Sequence, residues 1–252
     1  MITLKELSSY LQQLLSCDRY NDYAPNGLQV EGKEQIKRIC TAVTASDEVI
    51  TQAINWKADA LLVHHGYFWR GEAPVITGMK RQRLNKLLRN DVNLLAYHLP
   101  LDCHPELGNN ACLAKLFAVD SVQMHRAGNT DNLLWSGRLT QTMTHSVFAD
   151  FLSEKLGRIP LTVIGSDKPI NRIAWCSGGA QDFIEEANQL GVDAYLSGEV
   201  SERTYYQAQE LGIHYYACGH HATERYGIQA LGEYVASYFK VEHLFIDSDN
   251  PI

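Results

Sequence analysis

Three short stretches carry side chains able to hold a metal ion: LLVHHG with His64 and His65, HLPLD with His98 and Asp102, and GHHATE with His220, His221 and Glu224. In the last two, a histidine precedes a carboxylate by four residues. Imidazoles and carboxylates without thiolate suit zinc, manganese, iron or nickel better than an iron-sulfur cluster or an all-oxygen calcium site. Two adjacent histidines, with carboxylates from separate segments, suggest two divalent ions sharing one cavity, and the longer Glu224 is the natural bridge between them. Such a pair would activate a water for attack on an electrophilic carbon or phosphorus.

A single histidine on an apolar strand is more often a hydrogen-bonded core residue. That reading suits His98 taken alone, and His125, His145, His214 and His243 are structural or exposed on the same reasoning. His64, His65, Asp102, His220 and Glu224 form a different case, because each sits at a strand end beside small or turn-forming residues. His221 reads either as a further ligand or, turned away beside His220, as a hydrogen-bonding partner of a substrate or a carboxylate.

Neighbours on an extended strand point to opposite faces, so His64 and His65 can converge only where the chain leaves the strand at Gly66. The elements around them alternate. An amphipathic N-terminal helix precedes a loop, DYAPNGLQVEG, that contains a short extended piece. IKRICTAV reads as a buried strand, SDEVITQAINWK as a helix capped by Ser46, and ADALLV as a second buried strand ending at His64. GMKRQRLNKLLRN is an amphipathic helix, and VNLLAYHLPLD is a strand that runs into a turn at Pro100. Strands alternating with helices imply an α/β architecture with mixed sheets flanked by helices. Ligand sites in such sheets favour the carboxyl ends of strands, where these histidines fall.

The strand-helix-strand unit is repeated. The segment from Ile36 aligns without gaps on the segment from Ile170 at a constant offset of 134 (170 minus 36), with identity at Ile36, Arg38, Ile39, Ile50, Ala53, Asp59, Ala60 and Leu62. Fixed spacing without gaps favours duplication over two units that merely look alike. After each copy a strand ends in a histidine, His98 or His220, followed four residues later by Asp102 or Glu224. The expected division is a first lobe over 1–125, completed by 226–252, and a second lobe over 126–225. The loop CSGGAQD, Cys176 to Asp182, lies between a strand and a helix, where its amides could receive a phosphate; ordinary turn chemistry accounts for it equally well.

Composition removes several classes. The net charge is −7, with no basic run, so a dedicated nucleic-acid binder is not expected. No stretch is apolar for long enough to span a bilayer, and the N-terminus lacks the apolar core of a signal peptide. Six scattered cysteines without a C-x-x-C pair read as reduced thiols in a cytoplasmic protein.

Taken in order, DYAPNGLQVEG, ADALLVHHGYFW, HLPLDCHPELGNN, SGEVSE and GHHATERYG resemble the NIF-three-like family, whose members are often labelled GTP cyclohydrolase I type 2 homologs. The resemblance implies a two-lobed α/β subunit in a ring-shaped homohexamer, with a dinuclear metal centre in each subunit. Its ligands would be His64 and His65 from V-H-H-G, Asp102 from H-x-P-L-D, and His220 with Glu224 from G-H-H-x-x-E. The label implies hydrolysis of GTP: attack at C8 of guanine, opening of the imidazole ring and release of formate, with His98 or His221 shuttling protons. The same centre would serve a phosphoesterase, and a non-enzymatic metal-binding protein or scaffold is the alternative from another class.

Overall fold

A computed structural model describes residues 1–252. The chain divides into two compact units, Met1–Leu101 with Gly227–Asp249, and Asp102–Tyr226 with Asn250–Ile252. The division falls at Asp102, not at the 125/126 boundary read from sequence. Helix Asn109–Leu116 explains the difference, because its Ala111, Leu113 and Ala114 bury into the second unit's core beside Trp135, Trp175 and Phe148. Burial, not proximity in sequence to the first repeat, decides where that helix belongs.

The first unit is built on a five-stranded sheet in the order Glu242–Phe245, Arg38–Thr44, Ala60–His65, Asn93–Ala96, Gly27–Val30. The first four strands run parallel and the last is antiparallel. Near-continuous burial of the central strands explains their unbroken apolar runs, since a parallel sheet is covered on both faces. Helix Asp47–Asn55 supplies Val49, Ile50 and Ala53 to that core, and helix Gly78–Arg89 supplies Leu84 and Leu87. Ser46 caps the former as expected, its hydroxyl accepting from the Val49 amide.

The second unit carries a six-stranded sheet in the order Val119–Ala127, Thr130–Met143, Ile170–Cys176, Ala194–Ser197, His214–Ala217, Leu161–Val163. Its three strands from Ile170 to Ala217 are parallel to one another, and each outer strand is antiparallel to the neighbour it pairs with. Helix His145–Leu156 buries Phe148, Leu152 and Leu156, and Gly157 closes it at φ 71°, a left-handed cap that glycine adopts without steric cost.

The 134-residue repeat is present in the hydrogen bonds as well as in the letters. Asp59 Oδ2 accepts the amides of Lys37 (2.9 Å) and Arg38 (3.0 Å), and Asp193 Oδ2 accepts those of Asn171 (2.9 Å) and Arg172 (2.8 Å). The Arg38 guanidinium donates to the Trp56 carbonyl, and that of Arg172 donates to the Leu190 carbonyl. Strand register agrees too: Ile39 lies opposite Ala60, and Ile173 opposite Ala194.

The third strands correct a detail of the sequence reading. Neither His98 nor His220 is a strand residue; the strands stop at Ala96 and Ala217. His98 immediately precedes a short helix, Leu99–Asp102, and His220 is the first residue of the long helix His220–Phe239. Pro100 therefore sits inside a helical turn, near its start, where its missing N–H costs nothing. No helix is long and apolar enough to cross a membrane.

Candidate metal centre

In the first unit the strand Ala60–His65 ends on both histidines, yet their rings lie only 4.6 Å apart, centroid to centroid. Alternation would separate them. They converge because each is drawn to a different neighbouring segment: His64 Nδ1 lies 2.9 Å from the Tyr97 carbonyl, and His65 Nδ1 lies 3.2 Å from the Thr44 hydroxyl. Gly66 then allows the turn, since a Cβ there would overlap the Gln29 side chain and Ala96. Gln29 fastens that turn through the Tyr67 amide and carbonyl.

His98 joins the same cluster. One ligand atom each from His64, His65 and His98 all fall within 4.8 Å of one another. His98 Nδ1 is 2.7 Å from Asp22 Oδ1, and the Asn26 side chain holds the His98 amide. Burial works against a charged Asp22, but hydrogen bonds from His98, Asn26 and the Tyr23 amide, with the His98 charge, hold its pKa below the usual carboxylate range. Of the three aromatics that follow the histidine pair, Tyr67 belongs to the core, its hydroxyl donating to the Ala45 carbonyl. Trp69 is the one beside the imidazoles, 5.0 Å from His98 and 5.9 Å from His65 between ring centroids.

The second unit holds the remaining expected residues. His220 and Glu224 are one helical turn apart on one face, with Nε2 and Oε1 separated by 3.2 Å. His220 Nδ1 lies 2.6 Å from Glu199 Oε1. Burial disfavours the imidazolium, yet the two carboxylates outweigh that and raise the His220 pKa to about 9. Asp102 is buried and accepts from the Asn109 amide group (2.8 Å) and the Ser177 hydroxyl (2.9 Å) through Oδ1. Gly178, at φ 67°, leaves the space that Glu224 occupies, since a Cβ there would overlap its carboxylate.

These residues fit divalent ions on the chemistry of the donors themselves. Each of His64, His65, His98 and His220 has its Nδ1 against an oxygen: a carbonyl, a hydroxyl and two carboxylates. That arrangement fixes Nε2 as the donor nitrogen and is the usual support for metal-binding imidazoles. Asp102 and Glu224 are carboxylates at 5% and 2% exposure, where uncompensated charge would be costly. Thiolates take no part: burial and the nearby charges of Asp102 and Glu224 push the Cys176 thiol well up, and it stays protonated.

Two sequence expectations change. The CSGGAQD loop is not a free cradle for phosphate: the Ser177 amide donates to Asn110 Oδ1, the Gly178 amide to the Thr223 hydroxyl, and the Ala180 amide to the Ser197 hydroxyl. A short 3₁₀ turn, Gln181–Phe183, follows it. The other change is that Asp22, Thr44, Gly178 and Glu199 contribute to the two clusters without having been singled out as site residues. Glu199 had a signal as the residue 134 positions after His65, and Asp22 and Gly178 lie within the motifs DYAPNGLQVEG and CSGGAQD.

A family model for DUF34/NIF3 (NGG1p interacting factor 3) matches residues 2–251. The chain belongs to the DUF34/NIF3 family. It is similar over 250 residues, at 51% identity and 99% of each chain, to a Pseudomonas aeruginosa protein named GTP cyclohydrolase 1 type 2 homolog. A protein of the same name from Escherichia coli K12 is 49% identical and covers 98% of each chain. Among solved structures, that of protein ybgI, described as of unknown function, superposes with a TM-score of 0.95 at 48% identity over 100% of both chains. That of TTHA1606 from Thermus thermophilus gives 0.90 at 30% identity, again over 100% of both. In this DUF34/NIF3 chain the α/β fold with mixed sheets and the clusters able to hold a metal are thus established, each on its own observations.

Proposed function

We propose that the chain is a dinuclear metal-dependent hydrolase acting on a nucleotide or related heterocycle, with His64, His65, Asp102, His220 and Glu224 as its ligands. The observation that carries this reading is the set of imidazoles whose Nδ1 atoms are each held by an oxygen, in both units. A hydrogen-bonded core histidine needs no such orientation. Bound divalent ions would supply Lewis acidity and an activated water.

The substrate proposed is GTP, after the name carried by the relatives at about half identity. Addition of one water at C8 and cleavage of the C8–N9 bond would give a formamide, and a second water would release formate and leave the amine. Trp69, beside His98 and His65, supplies an aromatic face for a purine, and the exposed ring of Tyr23 lies 6.3 Å from His98. Proton transfer falls to His98 or His221. The engaged amides of the CSGGAQD loop remove it as support for a phosphate-bearing substrate, GTP included, so the reading rests on the donor set. The proposed setting is the cytoplasm, which the six scattered cysteines without a C-x-x-C pair support, and the proposed assembly is a homohexamer that sedimentation analysis would identify.

Metal-loaded protein incubated with GTP should release formate, and Glu224→Ala should abolish the release. Formate production that survives Glu224→Ala excludes the hydrolytic assignment. Two bound ions without turnover on any nucleotide would instead favour the non-enzymatic metal-binding alternative.

A further inference from the structure

We infer that His98 is a metal donor in its own right, a third imidazole beside His64 and His65, and that Asp22 is the positioning residue that aims it. The inference rests on the metal-binding reading above and departs from it by giving His98 to the ion instead of to proton transfer.

Three observations carry it. His98 is within the same 4.8 Å cluster of ligand atoms as His64 and His65. Its Nδ1 is spent on Asp22, so Nε2 is the nitrogen that remains for the cluster, the same disposition as in the other two rings. Asp22 is itself immobilised: Oδ1 also accepts the Tyr23 amide (2.6 Å), and Oδ2 accepts the Asn26 amide group and the Leu99 amide (2.9 Å each). A carboxylate pinned at that many points can orient an imidazole with little freedom. A carboxylate-histidine-metal relay of this kind also raises the basicity of the donor nitrogen.

The competing role for the pair is fastening, in which Asp22 only ties loop 22–26 to the turn at His98 and Leu99. That role affects stability and leaves the ligand field of a bound ion untouched.

The test is cobalt(II) titration of the full chain, read by visible absorption and by competition with a chelator, for wild type, His98→Ala, His98→Gln, His98→Gly and Asp22→Asn. Wild type should take up two ions. His98→Ala and His98→Gln should weaken one of them about 10- to 100-fold and move its absorption band, and Asp22→Asn should weaken it about tenfold. Added imidazole should restore the band in His98→Gly. Circular dichroism identifies any variant that fails to fold, and His98→Gln, which keeps a donor toward Asp22, then decides. Wild-type affinity and band position in the folded His98 variants, with no response to imidazole, would overturn the inference and leave the metal centre standing. A wild-type protein that binds no cobalt would overturn both.

Discussion

The two units share a scaffold and part company at the ends of their strands. In both, an aspartate before the second strand collects two backbone amides from the start of the first, through Asp59 and Asp193. At the other end, the positions of His64 and His65 in the first unit are Gly198 and Glu199 in the second. A side chain at Gly198 would collide with the Gly178 carbonyl and the His220 backbone, so the second unit closes that position with main chain and brings its imidazole from the following helix. Glu199 then orients the imidazole instead of being replaced by one. Thr44 and Gly178 are likewise equivalent: one orients His65 through its hydroxyl, and the other makes room for Glu224. The duplicated unit thus fixes where donors can be mounted, and the strand-end residues decide what is mounted.

That contrast can be broken most severely by importing the first unit's residue into the second. Gly178→Thr forces a branched side chain into a left-handed position already bordered by the Glu224 carboxylate. Metal affinity measured by chelator competition should fall about 100-fold, or close to 3 kcal/mol.

The shared half should respond differently. Asp59→Ala and Asp193→Ala should each cost about 2 kcal/mol in denaturant unfolding, by orphaning two amides, with metal stoichiometry unchanged. For Asp59, burial favours the neutral acid, but Lys33 and the two amides outweigh it and hold the pKa below the usual range. A carboxylate depressed in the folded state stabilises above its unfolded pKa, and the contribution fades as pH falls through the folded value. The stability gap between wild type and Asp59→Ala should therefore narrow as pH falls below about 4. A gap that does not narrow in acid would mean that the charge of Asp59 contributes nothing to it.

A smaller effect tests the carboxylate that the second unit has in place of His65. Glu199→Gln should lower metal affinity about tenfold. In metal-free protein it should also bring the His220 pKa down from about 9, because a lost negative neighbour disfavours the imidazolium; NMR titration reads this directly. The smallest change belongs to the neutral partner in the first unit: Thr44→Val should weaken binding by less than about tenfold. Equal effects from Glu199→Gln and Thr44→Val would erase the distinction between the two strand ends.

Much of this was legible in the chain. The alternation of apolar runs with 3.6-residue periodicity specified the α/β class, because burial on one face or two leaves a periodic record in the residues themselves. The constant offset of 134 located the repeat, and the structure found its register and hydrogen bonds at the same spacing. The histidine pair and the two i,i+4 histidine-carboxylate pairs were visible as local patterns. Less visible were the residues that orient them: Asp22 lies 76 positions from His98, and Glu199 lies 21 from His220.

The amino-acid sequence by itself determined the elements, their repetition and the types of donor atom available, since each depends on neighbours within a few residues or on a fixed period. Tertiary structure alone decided which nitrogen of each imidazole is presented, which unit helix Asn109–Leu116 joins, and that the Ser177, Gly178 and Ala180 amides are already taken. Those outcomes depend on hydrogen bonds and packing between segments far apart in the chain, and they exist only once the backbone has brought such partners within about 3 Å.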